Sequence, residues 1–173
     1  MSLDALIENW KEVRSGLVDE AESIPADKFS FQATPDTRSV AALLQHVVET
    51  QKMLSGEVCR ADTNLLRQSF GEQIKVYAPE VSGISDKDGL IALLRNSMDE
   101  TAAKLLDASD ELANEMKRFD GKSITKHACI SFAIAHEMYH RGQLTVYLRL
   151  LGIEPVLTKR FRKVFGDPQQ ARG

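Results

Sequence analysis

Apolar residues recur every three or four positions along almost the whole chain, and that period constrains the fold more than any other feature. Leu3, Leu6, Ile7, Trp10, Val13, Leu17, Ala21 and Ile24 form one such stripe, which Pro25 ends. Ser2 stands where an N-cap belongs. A second stripe, Val40, Leu43, Leu44, Val47, Val48 and Leu54, predicts a helix from about Ser39 to Cys59. A third, from near Asp86, carries Leu90, Leu93, Leu94, Met98, Leu105 and Leu106 and fades near Asp107. The fourth runs from Ser123, read as its N-cap, to Leu151, with Gly152 as the C′ residue.

Between these helices the chain is punctuated by turn formers. Residues 25–37 hold two prolines and read as a loop. Thr63–Gln68 is read as a short helix, and residues 69–86, with Gly71, Pro79 and Gly83, as an irregular connection able to form part of a pocket. Residues 108–121 read as a linker with at most one extra helical turn. β-Branched alternation is lacking, so no strands are expected. The pattern predicts an all-α chain: one four-helix bundle, antiparallel, with crossover connections. Residues 158–173 are expected to form an extended tail.

Composition narrows the function. Charged residues make up 27% and the net charge is −3, without the clustered positive surface that nucleic acid or an anionic membrane requires. Lys159, Arg160, Arg162 and Lys163 are grouped, but on the solvated tail. The two cysteines, Cys59 and Cys129, form no CxxC pair, and the first residues lack the features of a signal peptide. No apolar run is long enough to span a membrane. Cytoplasmic placement is expected.

The chemistry concentrates in HEMYHRGQ, residues 136–143. His136 and His140 are one helical turn apart, so their Cβ atoms lie about 5–6 Å from each other on one side of the helix. Two such imidazoles can take adjacent positions on one metal ion. They share the apolar stripe with Ile124, Cys129, Phe132, Ala133, Gln143, Leu144, Tyr147 and Leu151, and so face other helices. His46, flanked by Leu43 and Val47, is also inward or at the margin of an inward face. His127 lies about 180° around the helix from His136 and faces elsewhere.

Each feature also has a structural reading. A lone core histidine is usually a hydrogen-bonded packing residue, and HxxxH alone is a weak signal. Three inward histidines out of four favour a metal site formed by His46, His136 and His140. Glu49, one turn from His46, is a surface carboxylate, a fourth ligand, a base or an imidazole anchor. Gln143 lies on the side of His140 and is placed to bond a ligand or ring. HEMYH also matches HExxH, which would make Glu137 the base of a metalloprotease. A chain without strands offers that chemistry no edge for its substrate, and Glu137 is turned about 100° from His136. Arg141 is expected to pair with a carboxylate on a neighbour, and Gly142 to mark close helix approach.

HEMYHRGQLTVYLRLLGIEP resembles the closing helix of the DinB-like (DinB/YfiT) family, with its Hxx[HY]HRGQ, apolar run and LG.xP. TPDTRSVAALLQHVVE is similar to the family's second-helix block, with His46 at its first histidine and Thr37-Arg38-Ser39 where a tryptophan is common. The resemblance implies a divalent metal, zinc or nickel, on His46, His136 and His140, and a homodimer. It also implies a metal-dependent enzyme acting on an unidentified small molecule, of the thiol S-transferase or isomerase type, with a low-molecular-weight thiol as cofactor. Two alternatives stay open: a non-catalytic metal-binding or stress-response module, and a bundle whose histidines are merely packed.

Overall fold

A computed structural model describes residues 2–166. Eight elements follow one another: α1 (Leu3–Glu22), α2 (Val40–Val58), α3 (Phe70–Tyr77), α4 (Lys87–Asp107), β1 (Glu115–Lys117), β2 (Ser123–Thr125), α5 (Lys126–Leu150) and α6 (Val156–Phe165). The four long helices form the bundle. Each begins at a side chain that accepts an otherwise orphaned backbone N–H: Ser2, Ser39, Asp86 and Thr125. Gly152, at φ 74°, takes the left-handed conformation that stops α5.

The bundle's principal contacts join α1 to α5 and α4, and α2 to α4 and α5. Consecutive helices α1 and α2 are therefore diagonal, as are α4 and α5. Direction follows from the two apolar clusters. One gathers Leu17, Leu44, Leu94 and Leu148; the other gathers Leu6, Leu54, Leu105 and Ile130. From the second cluster to the first, residue numbers rise along α1 and α5 and fall along α2 and α4. Two neighbour pairs are thus antiparallel and two parallel, and the chain between α2 and α4 must run back along the bundle.

A polar layer separates the clusters, one residue from each long helix: Arg14, Gln51, Ser97 and Glu137, all buried. Arg14 forks onto Glu137, its Nη2 reaching Oε2 at 2.9 Å and its Nε donating to Oε1. Nη2 also donates to Gln51 Oε1 (2.8 Å), and Nη1 to Ser97 Oγ (3.1 Å) and the Leu94 carbonyl (2.6 Å). Trp10 Nε1–H donates to Glu137 Oε2 (2.7 Å). Each charge is paired and its remaining hydrogen-bonding capacity used, the condition under which an ion pair survives burial.

Four local expectations need correction. Residues 63–68 are not helical; Leu65 N–H donates to the Lys117 carbonyl (2.9 Å), tying this segment to β1. The short helix is α3, inside the stretch read as irregular, started by a capping box in which Ser69 and Glu72 each accept the other's backbone N–H. Residues 115–125 form a hairpin, with Met116 opposite Ile124, and the helix read as starting at Ser123 starts after Thr125. Val156–Phe165 is a helix, not an extended tail. Buried Glu20 accepts the N–H groups of Val156 (2.7 Å) and Leu157 (3.1 Å) at its start, and Arg160 pairs with Asp19 (2.6 Å). Residues 167–173 of the expected tail lie outside the described residues. No described helix is long and apolar enough to cross a membrane.

Candidate metal centre

His46 from α2 and His136 and His140 from α5 meet in the groove between those neighbouring antiparallel helices. Ring centroids are 5.1 Å apart for His46–His136, 4.9 Å for His46–His140 and 4.4 Å for His136–His140. One nitrogen from each ring lies within 4.8 Å of the others. His140 Nε2 is 3.0 Å from His136 Nε2. Two nitrogens about 2.0–2.1 Å from one zinc ion, at an angle of about 90–110°, would be roughly 2.9–3.4 Å apart. The His136–His140 spacing fits a shared ion, and His46 presents its ring to the same point from α2.

The donor chemistry fits as well. His140 Nδ1 lies 2.7 Å from Gln143 Oε1. An amide oxygen only accepts, so Nδ1 carries the proton and the Nε2 lone pair is left for the site. Gln143 is fixed in turn, its Nε2 donating to Tyr139 Oη (3.1 Å). Burial is the chief cause holding all three imidazoles neutral. It lowers His46 to about 3, with help from Arg38 and the other two rings, and His136 to about 4, with help from His140 and Arg38. His140 is also lowered by burial and Arg38, partly opposed by its bond to Gln143 and by Glu137. Neutral imidazole is the metal-binding form.

The surroundings divide by chemistry. Phe70, the first residue of α3, faces His46 with ring centroids 6.0 Å apart; Phe132 lies 6.3 Å from His136, and Tyr139 5.1 Å from His140. Toward the start of α2, a cleft of about 460 Å³ is lined by Asp36, Thr37, Arg38, Leu43, Gln143 and Tyr147. A second cleft, about 360 Å³, includes Glu49, Phe70, Gly71 and Lys75, so part of the segment 69–86 lines a cleft, linked to His46 through the Phe70 ring. Glu49 is not among the clustered ligand atoms; burial raises its carboxyl pKa and Arg38 partly offsets that.

Other expectations fare differently. Glu137 points inward onto Arg14 and Trp10, so the HExxH base is turned away from the histidines. Arg141 makes no ion pair among the described residues; its guanidinium lies against Gly16, within 2.3 Å of where a Cβ would stand. Gly142 has open space around it, and the close approaches are at Gly16 and Gly56. His127 lies outside the histidine cluster. Both cysteines are free thiols, and burial pushes Cys129 up to about 12 and raises Cys59, which makes both poor nucleophiles. Phe132, read on the same stripe as the histidines, does lie beside His136, whereas the sequence reading did not find Arg38, Phe70 or Tyr139 as neighbours of the site. It also passed over Arg14, although Arg14 falls on the apolar stripe of α1, four residues after Trp10.

The sequence model of the DinB family matches residues 1–170. The chain belongs to the DinB family. This DinB-family chain is 21% identical over 135 residues to the uncharacterized protein YjoA of Bacillus subtilis (strain 168), covering 76% of this chain and 79% of YjoA. The YjoA crystal structure superimposes with a TM-score of 0.64, covering 86% of this chain and 92% of that one. YfiT from Bacillus subtilis, described as a probable metal-dependent hydrolase with an unusual four-helix bundle topology, gives 0.67 at 17% identity, covering 88% and 89%. A mycothiol-dependent maleylpyruvate isomerase gives 0.65 at 13% identity, covering 83% of this chain and 61% of the isomerase. At these identities the likeness shows a shared fold.

Proposed function

We propose that His46, His136 and His140 hold one divalent cation, zinc or nickel, and that the protein is a metal-dependent enzyme acting on a small molecule. The observation that carries this is the convergence of three neutral imidazoles from two helices, with Gln143 fixing the tautomer of one. A descriptive parallel supports it: YfiT is described as metal-dependent, and the isomerase of similar fold as mycothiol-dependent. Reaction with a low-molecular-weight thiol, as an S-transferase or a related enzyme, is the form of the activity we favour.

When bound, such an ion supplies Lewis acidity, enough to make water or a thiol nucleophilic near neutral pH. The chain's own contributions are distinct. Burial keeps the imidazoles unprotonated, and Gln143 holds the His140 ring in one orientation. Phe70, Phe132 and Tyr139 set aromatic surface beside the rings while remaining partly exposed themselves. Glu49, one helical turn from His46 and with its carboxyl pKa raised, is the group we assign to proton transfer at the rim. A closed, non-catalytic site would need a fourth protein ligand, and Glu49 does not join the ligand cluster.

Metal analysis of protein purified without a histidine tag, followed by turnover assays with small thiols and an epoxide or chlorinated acceptor, tests the reading. The expected result is about one divalent ion per chain, lost in His46→Ala, with turnover that follows the ion. Turnover no greater than that of His46→Ala would overturn the enzymatic reading; wild-type protein without metal would overturn the metal reading.

A further inference from the structure

The cleft that Gln143 shares with the start of α2 contains a guanidinium that no side chain bonds among the described residues. Arg38 immediately precedes the N-cap of α2, and its side chain is exposed. Its backbone is anchored, because Tyr147 Oη donates to the Arg38 carbonyl (2.9 Å). Its guanidinium makes no ion pair or side-chain hydrogen bond among the described residues. Yet it lies near enough to disfavour a positive charge on all three imidazoles. It lines the same cleft of about 460 Å³ as Gln143, the residue bonded to His140.

This placement poses a charge problem. The three imidazoles are neutral ligands, so a divalent ion among them keeps its full charge. Arg38 adds a further positive charge nearby. Glu49 feels Arg38 without bonding it and lines a different cleft. Among the described residues no carboxylate, Asp36 included, bonds the Arg38 guanidinium, whose fork matches the two oxygens of a carboxylate. Asp36 lines the same cleft and disfavours a doubly charged phosphate there. Leu43 and Tyr147 line the same cleft and offer apolar surface to the remainder of such a molecule.

We infer that the substrate, or its thiol co-substrate, carries a carboxylate, and that Arg38 is the residue that selects it. The inference rests on the metal-dependent reading and deepens it. Arg38 acts here by binding: it holds the carboxylate in the cleft beside the histidines and rejects neutral analogues of the same shape. An Arg38→Lys substitution keeps the charge and loses the fork, so it restores only part of the binding.

Benzoate and its neutral analogue benzamide are the probes. Each is titrated by calorimetry into nickel-loaded wild type, Arg38→Gln and Arg38→Lys, with metal content and nickel affinity measured on the same samples. Benzoate affinity is expected to fall about tenfold or more in Arg38→Gln, with partial recovery in Arg38→Lys. Urea midpoint is expected to stay at the wild-type value, nickel affinity in Arg38→Gln to equal or exceed it because a neighbouring positive charge is gone, and benzamide to bind weakly and equally to all three. Intact nickel uptake with benzoate binding indifferent to Arg38, or with benzamide bound as well as benzoate, overturns this inference alone. A wild type that takes up no metal overturns the metal reading and this inference together.

Discussion

His46 and His136 are kept neutral by their surroundings, and this ties the stability of the metal-free protein to pH. An imidazole whose folded pKa is lowered takes up protons more readily when the chain unfolds. Its stabilising contribution is complete above the unfolded value of 6.5 and is lost as pH falls toward about 4 for His136 and about 3 for His46. Burial is the main cause in both. Metal-free protein should therefore lose unfolding free energy steadily from about pH 7 to about pH 5, a window above most carboxylate titrations. A His46→Ala/His136→Ala variant should show a flatter profile there. Urea denaturation at matched pH values, with chelator present, checks this; parallel profiles would show that the rings are no less basic in the folded chain.

At the scale of elements, two glycines distinguish a packing constraint from a tolerated contact. A Cβ on Gly56 would stand 2.4 Å from the Tyr77 ring, and Tyr77 is held by its hydroxyl bond to Glu57 (2.5 Å). A Cβ on Gly16 would meet the tip of Arg141, which can swing away. Alanine gains roughly 0.5–1 kcal/mol over glycine within a helix, whereas overpacking costs about 1–3 kcal/mol. Gly56→Ala should therefore lower the urea midpoint, and Gly16→Ala leave it equal or raise it. The same contrast explains what the sequence made readable. Helices α1, α2, α4 and α5 are long, periodic and capped, so pattern alone located them. Helix α3 has only eight residues, among Gly71 and Pro79, and its one available signal was the S-x-x-E box at Ser69–Glu72. The hairpin strands have three residues each, too short for alternation, and only Asp120-Gly121 marked the turn. The histidines were legible because helical spacing fixes where side chains point. Arg38 and Phe70 were not, because they reach the site from helix ends, where periodicity says nothing about placement.

For the molecule as a whole, the buried layer of Arg14, Gln51, Ser97 and Glu137 is where all four long helices are held to one another by directional bonds. Apolar contacts on either side tolerate small slides and rotations; a bidentate guanidinium fork does not. Glu137 is adjacent to His136 and three residues from His140, so fixing its rotation also aims those two rings at His46. The layer therefore carries two separable roles, stability and alignment. Glu137→Gln keeps an acceptor for Trp10 but leaves Arg14 as a buried, unneutralised cation, at a cost of about 3–5 kcal/mol. Adding Arg14→Met removes that charge and should restore much of the loss, since an ion pair replaced by uncharged side chains of similar volume is often near neutral. Alignment should not return with stability, because the fork between α1 and α5 is gone. The double variant is expected to fold with a urea midpoint near wild type and to bind nickel about tenfold or more weakly, as removal of an orienting partner does elsewhere. Full recovery of both stability and nickel affinity would show that apolar packing alone sets the angle between α2 and α5, and that the polar layer has no part in forming the site.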